Sequence, residues 1–124
     1  MPSRPLRAAI AAVYFLTCCY LFFLPGNDLP KEDWLDKIYF DKWVHVGLFT
    51  VMAFLLCWAG LAAGPRQVLW VAVLCIGYGL AVEAIQGLWV ANRSADVLDF
   101  LSDSLGVFAG LALWRRGGKK SKPL

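Results

Sequence analysis

Charge is what this chain has little of. Only 17% of its 124 residues are Asp, Glu, Lys or Arg, while 60% are hydrophobic, and the mean hydropathy is +0.60. A domain this small keeps most of its residues near water, so this composition excludes a water-soluble fold and leaves lipid as the solvent. Period-two alternation is missing too, along with the turn-rich spacing of a barrel, which excludes strands as the spanning element. The sequence holds no internal repeat, no low-complexity tract, no H-E-x-x-H spacing and no nucleophile motif. There is one histidine, His45. The four cysteines, Cys18, Cys19, Cys57 and Cys75, all lie inside apolar runs, where they read as small packing residues rather than disulfide or metal ligands.

Apolar sequence, by contrast, is plentiful. Four runs, at about 8–24, 42–63, 67–89 and 97–114, each have roughly the 17–25 residues that a helix needs to cross ~30 Å of hydrocarbon. They predict an all-α membrane protein, a single domain over 1–124 with four transmembrane helices. The N-terminal stretch has the basic start and apolar run of a secretory signal, but no small-residue cleavage site follows. Nor does Leu16-Thr17-Cys18-Cys19 read as a lipoprotein box, because the apolar segment continues beyond it. Between the first two runs, "LPKEDWLDKIYF" sets Trp34, Leu35, Ile38 and Tyr39 on one stripe with Glu32, Asp33, Asp36 and Lys37 around it. That pattern predicts a short interfacial helix between helices one and two, an amphipathic connector or a lid.

Acid is absent from one side of the membrane. Arg4, Arg7, Arg66, Arg115, Arg116, Lys119, Lys120 and Lys122 fall together on that side, and all nine Asp and Glu fall toward the other with Lys31, Lys37, Lys42 and Arg93. By the positive-inside rule both termini are cytoplasmic. The basic tail reads as a topology anchor against anionic headgroups, so membrane lipids are the expected partners and nucleic acid is not.

The acids themselves enter the membrane. In "SADVLDFLSDSLGVFAG", Asp96, Asp99 and Asp103 stand at i, i+3 and i+7, on one helix face. Glu83 and Gln86 are three apart on the preceding helix. A turn near Asn92 or Arg93 sets Gln86 level with Asp99 and Glu83 level with Asp103, the deeper pair on the order of 10–15 Å below the turn. "DKWVH" adds Asp41, Lys42 and His45 at the outer end of helix two. Charge inside a bilayer persists where it pairs or lines a wet cavity, so these residues predict a polar pocket open to the outer face.

Within that pocket, Glu83, His45, Asp99 and Asp103 are the catalytic candidates, and Asp41, Lys42, Gln86, Arg93 and Asp96 the ligand-binding ones. Lys42 and Arg93 suit phosphate or carboxylate, and Glu83 or His45 proton transfer. Glu83 and Asp103 are expected to share one proton, with His45 in reach. Asp41 and Asp96 also suit helix capping. His45, Glu83, Asp99 and Asp103 would favour Mn or Mg over structural Zn, but without a supporting spacing no metal and no cofactor is assigned. Gly106 and Gly110 form a small-xxx-small packing pair.

D-K-x-x-H at 41–45, E-x-x-Q at 83–86, Arg93, and D-x-x-D-x-x-x-D-x-x-G-x-x-x-G at 96–110 together resemble the VanZ-like family over roughly the last two-thirds of the chain. These are small bacterial membrane proteins named for a protein linked to teicoplanin resistance. The family usually carries Asn where this chain has Asp103. The resemblance implies a multi-pass protein of the bacterial cytoplasmic membrane, tied to the cell envelope and to glycopeptide susceptibility. Three functions fit: recognition or modification of an envelope lipid or lipid-linked peptidoglycan precursor, a metal-dependent hydrolase or transferase, and a non-catalytic accessory subunit or small transporter whose polar network serves packing or proton passage.

Overall fold

Each helix starts or stops at a local signal. A computed structural model describes residues 3–23, 40–61, 64–90 and 97–121, with side chains for all of these except 40, 41 and 118–121. Helix α1 spans Arg4–Phe22. Its Ser3 hydroxyl accepts from the Leu6 N–H at 3.3 Å, and proline lies in the first turn. That cap pulls the start of the helix back to Arg4, ahead of the apolar run. Helix α2, Phe40–Leu56, ends in a π-helical turn, Cys57–Leu61, where Gly60 takes a φ of 103°. Only glycine adopts that backbone without strain, and it stops the helix before residue 63. Helix α3, Pro65–Trp89, begins on Gly64 and the fixed φ of proline. Helix α4 spans Val97–Ser121 and continues past the apolar run through Arg115 and Arg116, both good helix formers. The predicted interfacial helix, Arg93, Asp96 and the Asp41 side chain lie outside the described residues.

The closest pairing is between α2 and α4. Gly106 faces the Val46 carbonyl and Gly110 the Thr50 carbonyl, and a Cβ at either would collide with that oxygen. The small pair therefore brings two backbones into direct contact. Helix α1 is tied to this unit at two levels. Tyr14 Oη donates to the Leu48 carbonyl at 2.6 Å, and Arg7 Nη1 to the Trp58 carbonyl at 2.9 Å. Cys18, Phe22, Phe49, Met52, Val82 and Val107 belong to the shared core. All four cysteines are free thiols, and Cys18, Cys57 and Cys75 are buried, as small packing residues.

Burial is inverted relative to a soluble protein. Leu16, Leu69 and Leu105 are 65%, 63% and 60% exposed, while Asp103 and Gln86 are 0% and 1% exposed. Apolar surface all round and polar groups within is the distribution that lipid selects. Arg4–Phe22, Lys42–Leu61, Pro65–Trp89 and Val97–Gly117 are each long and apolar enough to cross a bilayer.

Candidate functional site

Helical spacing builds the site. Lys42 and His45 lie one turn apart on α2, Asp99 and Asp103 one turn apart on α4, and the pairing of those helices brings them face to face. Lys42 Nζ lies 2.8 Å from Asp99 Oδ1. Asp99 Oδ2 lies 3.8 Å from His45 Nε2. His45 Nδ1 lies 2.6 Å from Asp103 Oδ1. Exposure falls along this row: the Lys42, Asp99, His45 and Asp103 side chains are 18%, 12%, 7% and 0% accessible. A charged rim thus leads by short steps into the bundle.

The His45 ring is oriented by its partners. With Asp103 ionised its carboxylate can only accept, and Nδ1 then carries the hydrogen of the 2.6 Å contact. In the neutral form of that tautomer Nε2 is the proton-accepting atom, and it faces Asp99 from beyond hydrogen-bond range. The sequence reading paired Asp103 with Glu83 through a shared proton; the geometry gives Asp103 His45 as its direct partner.

Helix α3 brings Glu83 to the same place. One potential ligand atom each from His45, Glu83 and Asp103 lie within 4.8 Å of one another. Those three could hold a divalent cation, and Asp103 Oδ2 is buried with no hydrogen-bond partner among the described residues. Asp99, part of the donor set read from sequence, instead pairs with Lys42. Room for Asp103 comes from Gly79, where a Cβ would lie 3.0 Å from Asp103 Oδ2 and 3.2 Å from its Cβ. Sequence reading missed Gly79, although it stands four residues before Glu83 and seven before Gln86, on the same face of α3.

A fourth wall was also missed. Gln86 Nε2 donates to the Phe22 carbonyl at 2.7 Å, satisfying an acceptor that the last turn of α1 leaves open. The Phe22 ring lies 5.2 Å from the His45 ring and 5.7 Å from Phe49, screening the imidazole on the α1 side. The pocket predicted from three helices therefore involves four. Lys42, His45, Glu83, Asp99 and Asp103 come together, and Gln86 is spent at least in part on α1.

A model of the VanZ/LLP1 family matches residues 10–117. The chain belongs to this family. The VanZ/LLP1 match takes in every described site residue and most of α1, so the Phe22–Gln86 contact falls inside the family's domain. No curated protein and no solved structure matches the chain. With its four candidate spans, the chain is a multi-span VanZ-family membrane protein with a buried polar and acidic network.

Proposed function

We propose that this VanZ/LLP1 protein lies in the bacterial cytoplasmic membrane with both termini inside. On this reading its polar pocket faces outward and recognises or modifies a cell-envelope lipid or lipid-linked peptidoglycan precursor. The observation that carries it is the His45–Asp103 contact at 2.6 Å, which leaves Nε2 turned to the rim beside Asp99 and Lys42. A buried carboxylate that fixes one imidazole nitrogen frees the other for proton transfer at the pocket mouth. Lys42 supplies positive charge where an anionic headgroup would enter, and Arg93, Asp41 and Asp96 belong to the same rim by sequence position. The eight basic residues on the opposite side support the orientation.

The Gln86–Phe22 bond favours a second reading, a packing network in an accessory subunit or transporter. One experiment separates them: glycopeptide susceptibility of cells carrying wild type, His45→Gln or Glu83→Gln, with membrane levels measured in parallel. Loss of the wild-type phenotype in both variants at unchanged levels is expected. A full phenotype in both would leave packing as the function of the network.

A further inference from the structure

Outside the polar row, α2 and α4 enclose an open groove with a volume of about 480 Å³, within the range of small-molecule sites. Trp43, Val46, Leu98, Leu101 and Leu105 line it together with Lys42, whose ammonium reaches Asp99. Ser102 also lines it, but the Ser102 hydroxyl donates to the Leu98 carbonyl at 2.8 Å, within its own helix. From Leu98 to Leu105 the α4 wall descends about 10 Å along the bundle. Its deep end lies where the helices touch, since Val46 both lines the groove and meets Gly106.

We infer that this groove seats a hydrocarbon chain of a phosphate-bearing membrane lipid, with the phosphate held at Lys42. The inference rests on the proposed function and names its substrate class. Lys42 belongs both to the groove and to the polar row, so a lipid lying along the apolar wall presents its headgroup at Asp99 and His45. The ammonium has three donors, and its charge suits a phosphate oxygen joining the Asp99 carboxylate on it. His45 Nε2 lies one step further in, 3.8 Å beyond Asp99 Oδ2. Trp43, 67% exposed beside Lys42, is an amphipathic ring suited to headgroup depth. A soluble anion would leave the apolar wall unused, and a chain without phosphate would make no use of the positive charge that Lys42 brings beside Asp99. Entry is lateral, from the bilayer, and needs no water-filled path.

Native mass spectrometry of the purified full chain in detergent tests this with three probes: dioleoylphosphatidylglycerol, dioleoylglycerol and glycerol phosphate. Phosphatidylglycerol should be retained; dioleoylglycerol, which lacks the phosphate, should be held roughly tenfold less, the worth of one charge-assisted contact, and glycerol phosphate, which lacks the chains, at least as much less. Leu101→Trp, which fills the groove from an exposed position, and Lys42→Gln should each lower retention by about tenfold. Lys42→Arg should keep it, as should Leu80→Trp, at an exposed position of α3 that does not line the groove. Equal retention of dioleoylglycerol, binding of glycerol phosphate as tight as the lipid, or an unaffected Leu101→Trp would each overturn the inference. These readings are of binding alone, so they separate from the functional test. His45→Gln should still hold the lipid even where the phenotype is lost, and groove variants that release it while His45 variants stay phenotypically silent would retain the groove and reject the function.

Discussion

His45 and Asp103 meet at 2.6 Å where α2, α3 and α4 converge, with the aspartate wholly inaccessible. Burying a carboxylate without a partner is costly, so this contact is what makes Asp103 tolerable at that depth. It also decides which face of the imidazole looks toward the rim. One hydrogen bond thus both compensates the burial of Asp103 and orients the His45 ring.

Asp103→Asn, which restores the residue usual in the family, should keep the fold. The amide oxygen still accepts from Nδ1, and a charge is no longer buried. Asp103→Leu removes the acceptor and leaves the imidazole N–H unsatisfied, a cost of about 1–3 kcal/mol. Melting of the detergent-solubilised variants should rank wild type and Asp103→Asn together and Asp103→Leu well below. Unfolding by Asp103→Asn would mean that the negative charge itself is required.

Glycine positions give an internally controlled series. Gly106→Ala and Gly110→Ala drive a Cβ into the Val46 and Thr50 carbonyls, so α2 and α4 must separate. A loss of about 1–3 kcal/mol is expected for each, as for overpacking. Gly47 and Gly77 have nothing within 4 Å of a new Cβ, and alanine there should gain up to about 1 kcal/mol from helix propensity. Unfolding in graded SDS compares the four; equal behaviour across the set would contradict the backbone contact.

The fold and half of the site were legible because helix periodicity and hydrophobic length are written in side chains. Apolar runs marked the spans, and the i, i+4 spacing of Asp99 and Asp103 put both on the face that meets Lys42 and His45. Depth arithmetic placed Glu83 level with Asp103, and the two share a cluster with His45. Depth does not give direction around the helix axis, so the direct His45–Asp103 contact was not foreseen. Gly79 contributes by lacking a side chain and Phe22 through a backbone carbonyl, and neither leaves a chemical signature in a sequence. The Gly60 stop was equally silent, being one glycine among small residues.

Orientation is tested by reporter fusions. A fusion at Asn92 should read as external, and fusions after Arg66 and Arg116 as cytoplasmic, following the basic residues on that side. A cytoplasmic signal at Asn92 would turn the pocket inward and end the proposed access to envelope components.

Gln86 separates packing from chemistry most directly. Its amide donates to the Phe22 carbonyl at 2.7 Å, and Phe22 in turn lies against His45, so this side chain ties the last turn of α1 to the site. Gln86→Leu removes the donor while keeping similar bulk, leaves the carbonyl without it, and should cost about 1–3 kcal/mol. Gln86→Glu is expected to be worse at neutral pH, because a carboxylate set against a carbonyl oxygen replaces an attraction with a repulsion. On lowering the pH the glutamic acid O–H can donate in place of the amide, so this variant should recover stability in acid while Gln86→Leu does not. Hydrogen exchange at the last turn of α1, compared at neutral and acidic pH with rates corrected for intrinsic exchange, reads the effect where it originates. Protection there should fall in both variants at neutral pH and return only in Gln86→Glu on acidification. Unchanged protection in Gln86→Leu would mean that the other contacts of α1 hold its last turn, and that Gln86 is available for a ligand.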